Sequence, residues 1–186
     1  MKKILATLLI LIAFVPVSFS QDSNPSIQPA RTGKIGLGLD GVTSPNLAVK
    51  YFFNNKIAME VSAGYNLYSP GGDAAVGQTK VTGSDVRAGL ALLYNFPGTD
   101  FIPYLGVDVM YESNKAGGFY AIEPDAKNSV NAGILVGGEY FIGKQFSVGM
   151  KEKIGVDAQL SRDIPKEETD ITLNTVTELT FRYYFN

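Results

Sequence analysis

The chain has 186 residues with a formal net charge of −2, and it contains neither cysteine nor histidine. The lack of cysteine excludes a small domain held together by disulfides. Nucleic acid is not expected as a partner, because the sequence has no block of basic residues that could follow a phosphate backbone.

The N-terminus has the layout of a secretory signal peptide, which we predict for residues 1–20. Lys2 and Lys3 precede an uncharged apolar stretch, and small residues occupy positions 18 and 20, before the expected cleavage point. A retained membrane anchor is the alternative, but the stretch is shorter than the roughly 20 residues of a spanning helix, and Pro16 closes it. Cleavage removes two lysines and no acidic residue, so the net charge of the mature chain becomes −4.

Residues 21–33 contain Pro25 and Pro29 and are predicted to form a flexible leader. Residues 34–186 are predicted to form one all-β domain, because apolar and polar residues alternate and no window has helical periodicity. Eight strands are expected, at 34–41, 46–53, 57–68, 81–96, 101–112, 127–142, 145–160 and 171–185.

The connections between these strands alternate in length. Tight turns are expected at 54–56, 97–100 and 143–144, and long polar loops at 69–80, 113–126 and 161–170. The connection at 42–45 is an exception, since it is short where a long loop is expected. Short turns at one end, long loops at the other and strands of about ten residues are typical of membrane-spanning barrels. The predicted fold is an all-β, eight-stranded antiparallel up-and-down transmembrane β-barrel that follows a cleaved signal peptide.

The last strand shows the alternation most clearly. Its odd positions are apolar or threonine and end in Tyr183 and Phe185, whereas its even positions include Glu178 and Arg182. An extended strand places these two sets on opposite faces. The same pattern fits a membrane barrel and a soluble lipocalin-like barrel, so the orientation of the two faces decides between them.

Three features favour a polar interior and an apolar exterior. Glycines share the phase of the charged residues, and small residues inside a narrow barrel leave room for large ones; they are Gly36, Gly38, Gly64, Gly89, Gly106, Gly133, Gly137, Gly149 and Gly155. Aromatic residues of the apolar phase lie near the short-turn ends, as in an interfacial girdle; they are Phe53, Tyr94, Phe96, Phe101, Tyr140, Phe146, Tyr183 and Phe185.

The third feature is the set of charges within the strands, because an arginine or lysine facing mid-bilayer would cost about 2–4 kcal/mol. The charged positions are Lys50, Glu60, Arg87, Asp108, Glu139, Lys151, Lys153, Asp157, Glu178 and Arg182. We expect them to pair inside the lumen, with Lys50 opposite Glu60 and Arg87 diagonal to Asp108. Such pairing is needed in any low-dielectric interior, so packing is the favoured interpretation and a proton, ion or gating role is the alternative.

Glu152 breaks the pattern, because it falls on the apolar phase of its strand. A bulge, or a position near the edge of the membrane, is expected there.

The chain resembles the small eight-stranded outer-membrane barrels of the OmpA/OmpX type, and more closely the generic outer-membrane β-barrel domain proteins of Gram-negative bacteria. The resemblance covers about 34–186 and is carried by residues 131–142 with 146–151, and by 103–107. It implies residence in the cell outer membrane, contact with outer-membrane lipid, and a C-terminal signal read by the barrel assembly machinery. That signal is matched by Leu179, Phe181, Tyr183 and Phe185.

No catalytic, cofactor-binding or metal-binding residue is predicted, and no cofactor is expected. The enzymes among outer-membrane barrels rely on histidine, which this sequence lacks. Without histidine and cysteine, the usual general base, the usual thiol nucleophile and the main soft-metal ligands are missing. The expected role is therefore not enzymatic.

Two classes of function remain open. The first is a structural or adhesion-like interaction protein, expected to be monomeric, with a lumen filled by side chains and with exposed loops that could contact a surface partner. The second is a narrow gated channel, or a soluble lipocalin-like periplasmic carrier of a small apolar ligand. Phe119 and Tyr120 in the loop 113–126 could contact a partner, but their continuation of the strand or packing on the barrel rim is favoured.

Overall fold

The computed structural model describes residues 31–41, 45–73, 75–120, 122, 126–160 and 171–185. The predicted signal peptide, the predicted leader up to residue 30 and the predicted loop 161–170 lie outside these residues. Within the described ranges, no helix is long and apolar enough to cross a membrane. The strands are β1 Ile35–Asp40, β2 Asn46–Phe52, β3 Ile57–Tyr68, β4 Thr79–Val81, β5 Gly83–Asn95, β6 Phe101–Lys115, β7 Gly118–Tyr120, β8 Ala126–Ile142, β9 Phe146–Gln159 and β10 Ile171–Phe185.

Eight of these strands close into an antiparallel barrel in the order β1-β10-β9-β8-β6-β5-β3-β2. The first strand closes the ring, because Ile35 lies opposite Tyr51 of β2 on one side and opposite Phe185 of β10 on the other. Each barrel strand therefore has a hydrogen-bonded neighbour on both sides, which a sheet surrounded by lipid requires. This arrangement confirms the predicted eight-stranded up-and-down barrel.

A small second sheet was not predicted. Strands β4 and β7 pair with each other, with Thr79 opposite Tyr120 and Val81 opposite Gly118. The sequence prediction placed most of this sheet in the long loops 69–80 and 113–126, and that prediction is wrong for these residues. Three-residue strands are too short to show a period-two alternation, so their pairing depends on where the barrel places the two loops.

The first hairpin is shorter than the other strands of the barrel. β1 has six residues and β2 has seven, whereas a tilted strand needs about 9–11 residues to cross a bilayer. As a result, β10 pairs with β1 only from Thr180 to Phe185, and β3 pairs with β2 only from Ala58 to Ala63. The barrel wall therefore extends least far towards the long-loop end at this hairpin, where the connection 42–45 is also short.

The outer wall of the barrel is apolar. Outward side chains in the middle of the strands are exposed, as at Leu90, Val107 and Ile134, which are 54%, 57% and 55% exposed. Near the short turns, aromatic side chains of the outer phase pack edge-to-face, with ring centroids 5.3 Å apart for Tyr94 and Phe96 and 5.1 Å apart for Tyr183 and Phe185. The predicted girdle therefore lies on the outside of the barrel.

Large inward side chains lie against glycines on neighbouring strands. The ring of Tyr104 lies over Gly137, directly opposite in the register, where an added Cβ would come within 2.6 Å of the tyrosine hydroxyl. The ring of Tyr184 covers Gly36 in the same way. These glycines make room for the aromatic residues, as the predicted small-against-large packing requires.

We expect Gly137→Ala to lower the free energy of unfolding by about 1–3 kcal/mol, because the new methyl group overlaps Tyr104 in a filled interior. Urea unfolding of the protein folded in lipid vesicles measures this loss. Gly71→Ala is the matched control, since a Cβ there has no neighbour within 4 Å. Equal stability of the two variants would contradict the packing role of Gly137.

Candidate functional site

The short-turn end of the lumen is closed by an aromatic floor. Phe52, Leu93, Tyr104 and Tyr184 are each at most 2% exposed. The ring of Tyr184 lies 5.8 Å from that of Phe52 and 5.3 Å from that of Phe141, measured between centroids. The predicted inner face was polar throughout, so this apolar layer is a finding of the structure.

Arg31 packs against the aromatic floor on the side of the short turns. Its backbone N–H donates to Oδ1 of Asn55 at 2.9 Å, its Nη2 donates to the carbonyl oxygen of Thr99 at 3.4 Å, and its guanidinium lies 5.1 Å from the centre of the Phe141 ring. The side chain is buried, and this burial lowers the pKa of Arg31 from its ordinary value. One residue thus joins two short turns and the aromatic floor.

Above the floor lies a buried ionic layer, formed by Asp40, Lys50, Glu60, Glu139, Lys151 and Arg182. Arg182 is its centre. Its Nη2 atom lies 2.8 Å from Oδ1 of Asp40 and 2.6 Å from Oε2 of Glu60, and its Nη1 atom pairs with Oε1 of Glu139. One guanidinium therefore neutralises carboxylates from three strands, in the forked geometry that suits arginine.

Two lysines complete the ionic layer. Lys151 Nζ lies 2.8 Å from Oδ2 of Asp40, 3.0 Å from Oε1 of Glu60 and 3.0 Å from Oε2 of Glu178. Lys50 Nζ lies 3.1 Å from Oε2 of Glu139. The layer draws on β1, β2, β3, β8, β9 and β10, so it ties together six of the eight barrel strands.

The predicted pairs are only partly correct. Lys50 lies opposite Glu60 in the register, as predicted, but its ammonium binds Glu139 across the lumen instead. Arg87 lies opposite Glu112, not diagonal to Asp108, and its guanidinium binds Asp85. That second predicted pair is wrong, because the register places Asp108 opposite Ala91, four residues from Arg87.

Asp40 was missed from the sequence, although it shares the inner phase of β1 with Gly36 and Gly38. Its alternation with Gly36 and Gly38 was the sequence signal that could have predicted an inward position for Asp40.

The long-loop half of the lumen contains a polar cavity of about 130 Å³, called here the upper cavity. Five acidic and three basic side chains line it: Glu60, Asp108, Glu112, Asp157 and Glu178, with Arg87, Lys151 and Lys153. Lys153 Nζ lies 2.5 Å from Oδ2 of Asp108. The cavity lies above the ionic layer, so that layer and the floor separate it from the short-turn end.

Glu152 is neither at a bulge nor beside the girdle. The register is continuous through it, with Val136 opposite on β8 and Thr177 opposite on β10, six residues along β9 from Phe146. Its carboxylate accepts a hydrogen bond from the Thr177 hydroxyl at 2.5 Å, and neighbouring side chains leave it only 6% exposed. The predicted explanation for Glu152 is wrong, and a polar pair on the outer wall takes its place.

A closed barrel with an apolar outer wall, an aromatic girdle and charges buried inside has the architecture of a small membrane-spanning β-barrel of the outer-membrane type. This is the architecture that the sequence resemblance implied.

No protein-family model matches the sequence, and neither does any curated protein. Among solved structures, the chain is similar to the N-terminal β-barrel domain of Pseudomonas aeruginosa OprF, with a TM-score of 0.49 and 13% identity over 83% of this chain and 98% of that one. It is also similar to Ail, the attachment invasion locus protein of Yersinia pestis, with a TM-score of 0.37 and 18% identity over 83% of this chain and 99% of that one.

Proposed function

We propose that this protein is a plugged barrel with a structural and surface-interaction role in the outer membrane, and that it is neither an enzyme nor an open pore. The ionic layer is the observation that carries the proposal. Lys50, Glu139 and Arg182 are at most 1% exposed, and Lys50 and Arg182 both bind Glu139 across the lumen just above the aromatic floor. Eight strands enclose a space that side chains can fill, and here they fill it at this level.

The distribution of polarity argues against a soluble carrier of an apolar ligand. A lipocalin-like protein needs an apolar interior and a polar surface. In this barrel the middle of the outer wall is apolar except for the pair of Glu152 and Thr177, whereas the upper cavity is lined by eight charged side chains. An apolar ligand would therefore have to displace buried charges from their partners, at a large cost in free energy.

The surface-interaction part of the proposal rests on the sheet formed by β4 and β7. Its strands are three residues long, and Phe119 and Tyr120 are half-buried within it. Ile122, just beyond β7, is 85% exposed and offers an apolar contact next to this sheet. We place the surface for a partner on β4, β7 and Ile122, because function on such scaffolds lies on the loops.

The proposal includes assembly as a monomer through the barrel assembly machinery. Leu179, Phe181, Tyr183 and Phe185 all point outward from β10 and are at least 41% exposed. This apolar row ends in two aromatic residues in the girdle. It is available to a receptor before the barrel closes, and to lipid afterwards.

Planar-bilayer recordings test the plug. The folded protein, checked by its faster gel migration before heating, is expected to give no stable conductance steps, because the ionic layer and the floor block the lumen. An unfolded sample of the same protein is the control for membrane leakage. Reproducible single-channel steps from the folded form would contradict the plug and support the narrow gated channel.

A further inference from the structure

The short first hairpin leaves part of one edge of β10 without a neighbour. β10 pairs with β9 over residues 171–183, but it pairs with β1 only over residues 180–185. The backbone N–H of Gly41 adds one hydrogen bond to the carbonyl oxygen of Leu179. Beyond this level, towards the long loops, no residue in the part of the chain that the structure describes pairs with this side of β10. We call residues 171–178 on this side the free edge.

The alternation of an antiparallel strand shows which backbone groups face the free edge. The N–H and C=O groups of one residue point to the same side of the strand, and those of the next residue point to the other side. The carbonyl group of Leu179 points towards β1, whereas the N–H of Tyr184 points towards β9 and donates to the carbonyl oxygen of Gln145 at 2.6 Å. Because the register with β9 is continuous, the odd residues Thr175 and Thr177 direct their backbone groups to the free edge.

The free edge borders a notch in the barrel wall, between residues 171–178 of β10 and residues 64–68 of β3. β3 continues to Tyr68, but it pairs with β2 only up to Ala63. β3 and β10 do not pair with each other, because β1 and β2 lie between them in the sheet. Their backbones are thus separated by three strand spacings, or about 14 Å. An extended segment fits into the notch without displacing a strand of the barrel.

Side chains beside the notch are accessible on both faces of β10. Val176 lies on the inner phase and lines the upper cavity, yet it is 41% exposed, whereas Lys153, directly opposite on β9, is 8% exposed. On the outer phase Thr175 and Thr177 are exposed, and Thr177 donates to the carboxylate of Glu152. An acyl chain offers no hydrogen bond to these threonines or to the backbone groups of the free edge, whereas a peptide strand offers both.

We propose that the free edge of β10 is a docking site for an extended segment of a partner protein, which adds a strand to the barrel at the notch. The backbone of this segment satisfies the edge groups of β10, as a neighbouring strand does elsewhere in the wall. Residues that lie opposite each other in paired strands share a face, so the segment carries an apolar residue opposite Val176 and hydroxyl or β-branched residues opposite Thr175 and Thr177. The free edge shares no residue with the surface on β4, β7 and Ile122, so either surface can fail its test alone.

Amide hydrogen exchange of the protein folded in detergent, measured residue by residue by NMR, tests the free edge. Without a partner, the N–H groups of Thr175 and Thr177 should exchange at least about 10-fold faster than those of Asn174 and Val176, which point towards β9. The probe is the synthetic peptide Lys-Thr-Val-Thr-Val-Thr-Lys, whose alternation matches the edge. Its addition should slow exchange at Thr175 and Thr177 saturably, by at least about 10-fold.

The same peptide with N-methylated threonines and valines is the control for the probe, because it lacks the backbone donors and should give no protection. Thr175→Pro removes an edge donor that β9 does not use, so the probe should no longer protect Thr177. Thr175→Val keeps this donor and should retain the protection. The N-methylated peptide keeps the test decisive if Thr175→Pro fails to show the heat-modifiable migration of a folded barrel.

Two results would overturn the proposal. Slow exchange at Thr175 and Thr177 without the peptide would show that the edge is already paired within the chain. Fast exchange that the peptide does not slow would show that the edge takes no added strand, and would leave the notch to lipid.

Discussion

Val107→Arg is expected to lower the free energy of unfolding of the barrel in lipid vesicles by about 2–4 kcal/mol. This is the cost of a basic side chain at the middle of a lipid-facing wall. Val107 lies between Leu92 and Ile134 of the neighbouring strands, and all three point outward. It is six residues from Phe101 and four from Tyr111 along β6, so it is far from both ends of the wall. Urea titration in vesicles measures the loss. Because the chain has no tryptophan, unfolding is monitored by tyrosine fluorescence or by gel migration.

Val76→Arg is the control for this substitution, because Val76 is fully exposed in the connection before β4. A change of at most about 0.5 kcal/mol is expected there, as for other surface substitutions. If the protein were soluble, an arginine at Val107 would simply enter water, and the two variants would behave alike. That result would overturn the assignment of the outer wall to lipid.

Arg182→Met is expected to cost about 3–5 kcal/mol of unfolding free energy, since it leaves buried carboxylates without their guanidinium partner. Asp40, Glu60 and Glu139 all pair with Arg182, and all are at most 4% exposed. Methionine keeps much of the volume of the arginine stem, so the loss reports charge more than packing. The same urea titration in vesicles provides the measurement.

Two further variants isolate the ionic layer. Arg87→Met also removes an arginine from the lumen, but its Asp85 partner is nearer the solvent, so a smaller loss is expected. Adding Asp40→Asn to Arg182→Met should recover part of the loss, because Asp40 and Glu60 then no longer share the single cation Lys151 and the two changes are coupled. Equal losses for Arg87→Met and Arg182→Met would show that Arg182 is not the centre of the layer.

Strand positions could be predicted from the sequence because apolar and polar residues alternate within each strand. β3 and β10 begin and end at the predicted residues, and the inner and outer faces are as predicted. The register across a tight turn could also be predicted, as Lys50 opposite Glu60 shows. These are local properties, fixed by residues close together in the chain.

The ion pairs could not be predicted from the sequence in the same way. Lys50 binds Glu139, which is 89 residues away and on a strand that is not its neighbour in the sheet. Such a pair depends on the diameter and stagger of the closed barrel, which alternation does not specify. The sequence therefore identified which residues face the lumen, but not which of them meet.

The short first hairpin has a consequence for the surrounding lipid. The pairing of β1 and β2 with their neighbours ends at Thr180 and Ala63, so the hydrophobic belt is narrower on that side than along β6 and β8. A bilayer adjusts to a narrow belt by thinning or by letting the protein tilt, at a cost of a fraction of a kcal/mol per ångström. We therefore expect this barrel to sit in an asymmetric annulus of lipid, with acyl chains compressed beside one hairpin and extended on the opposite side.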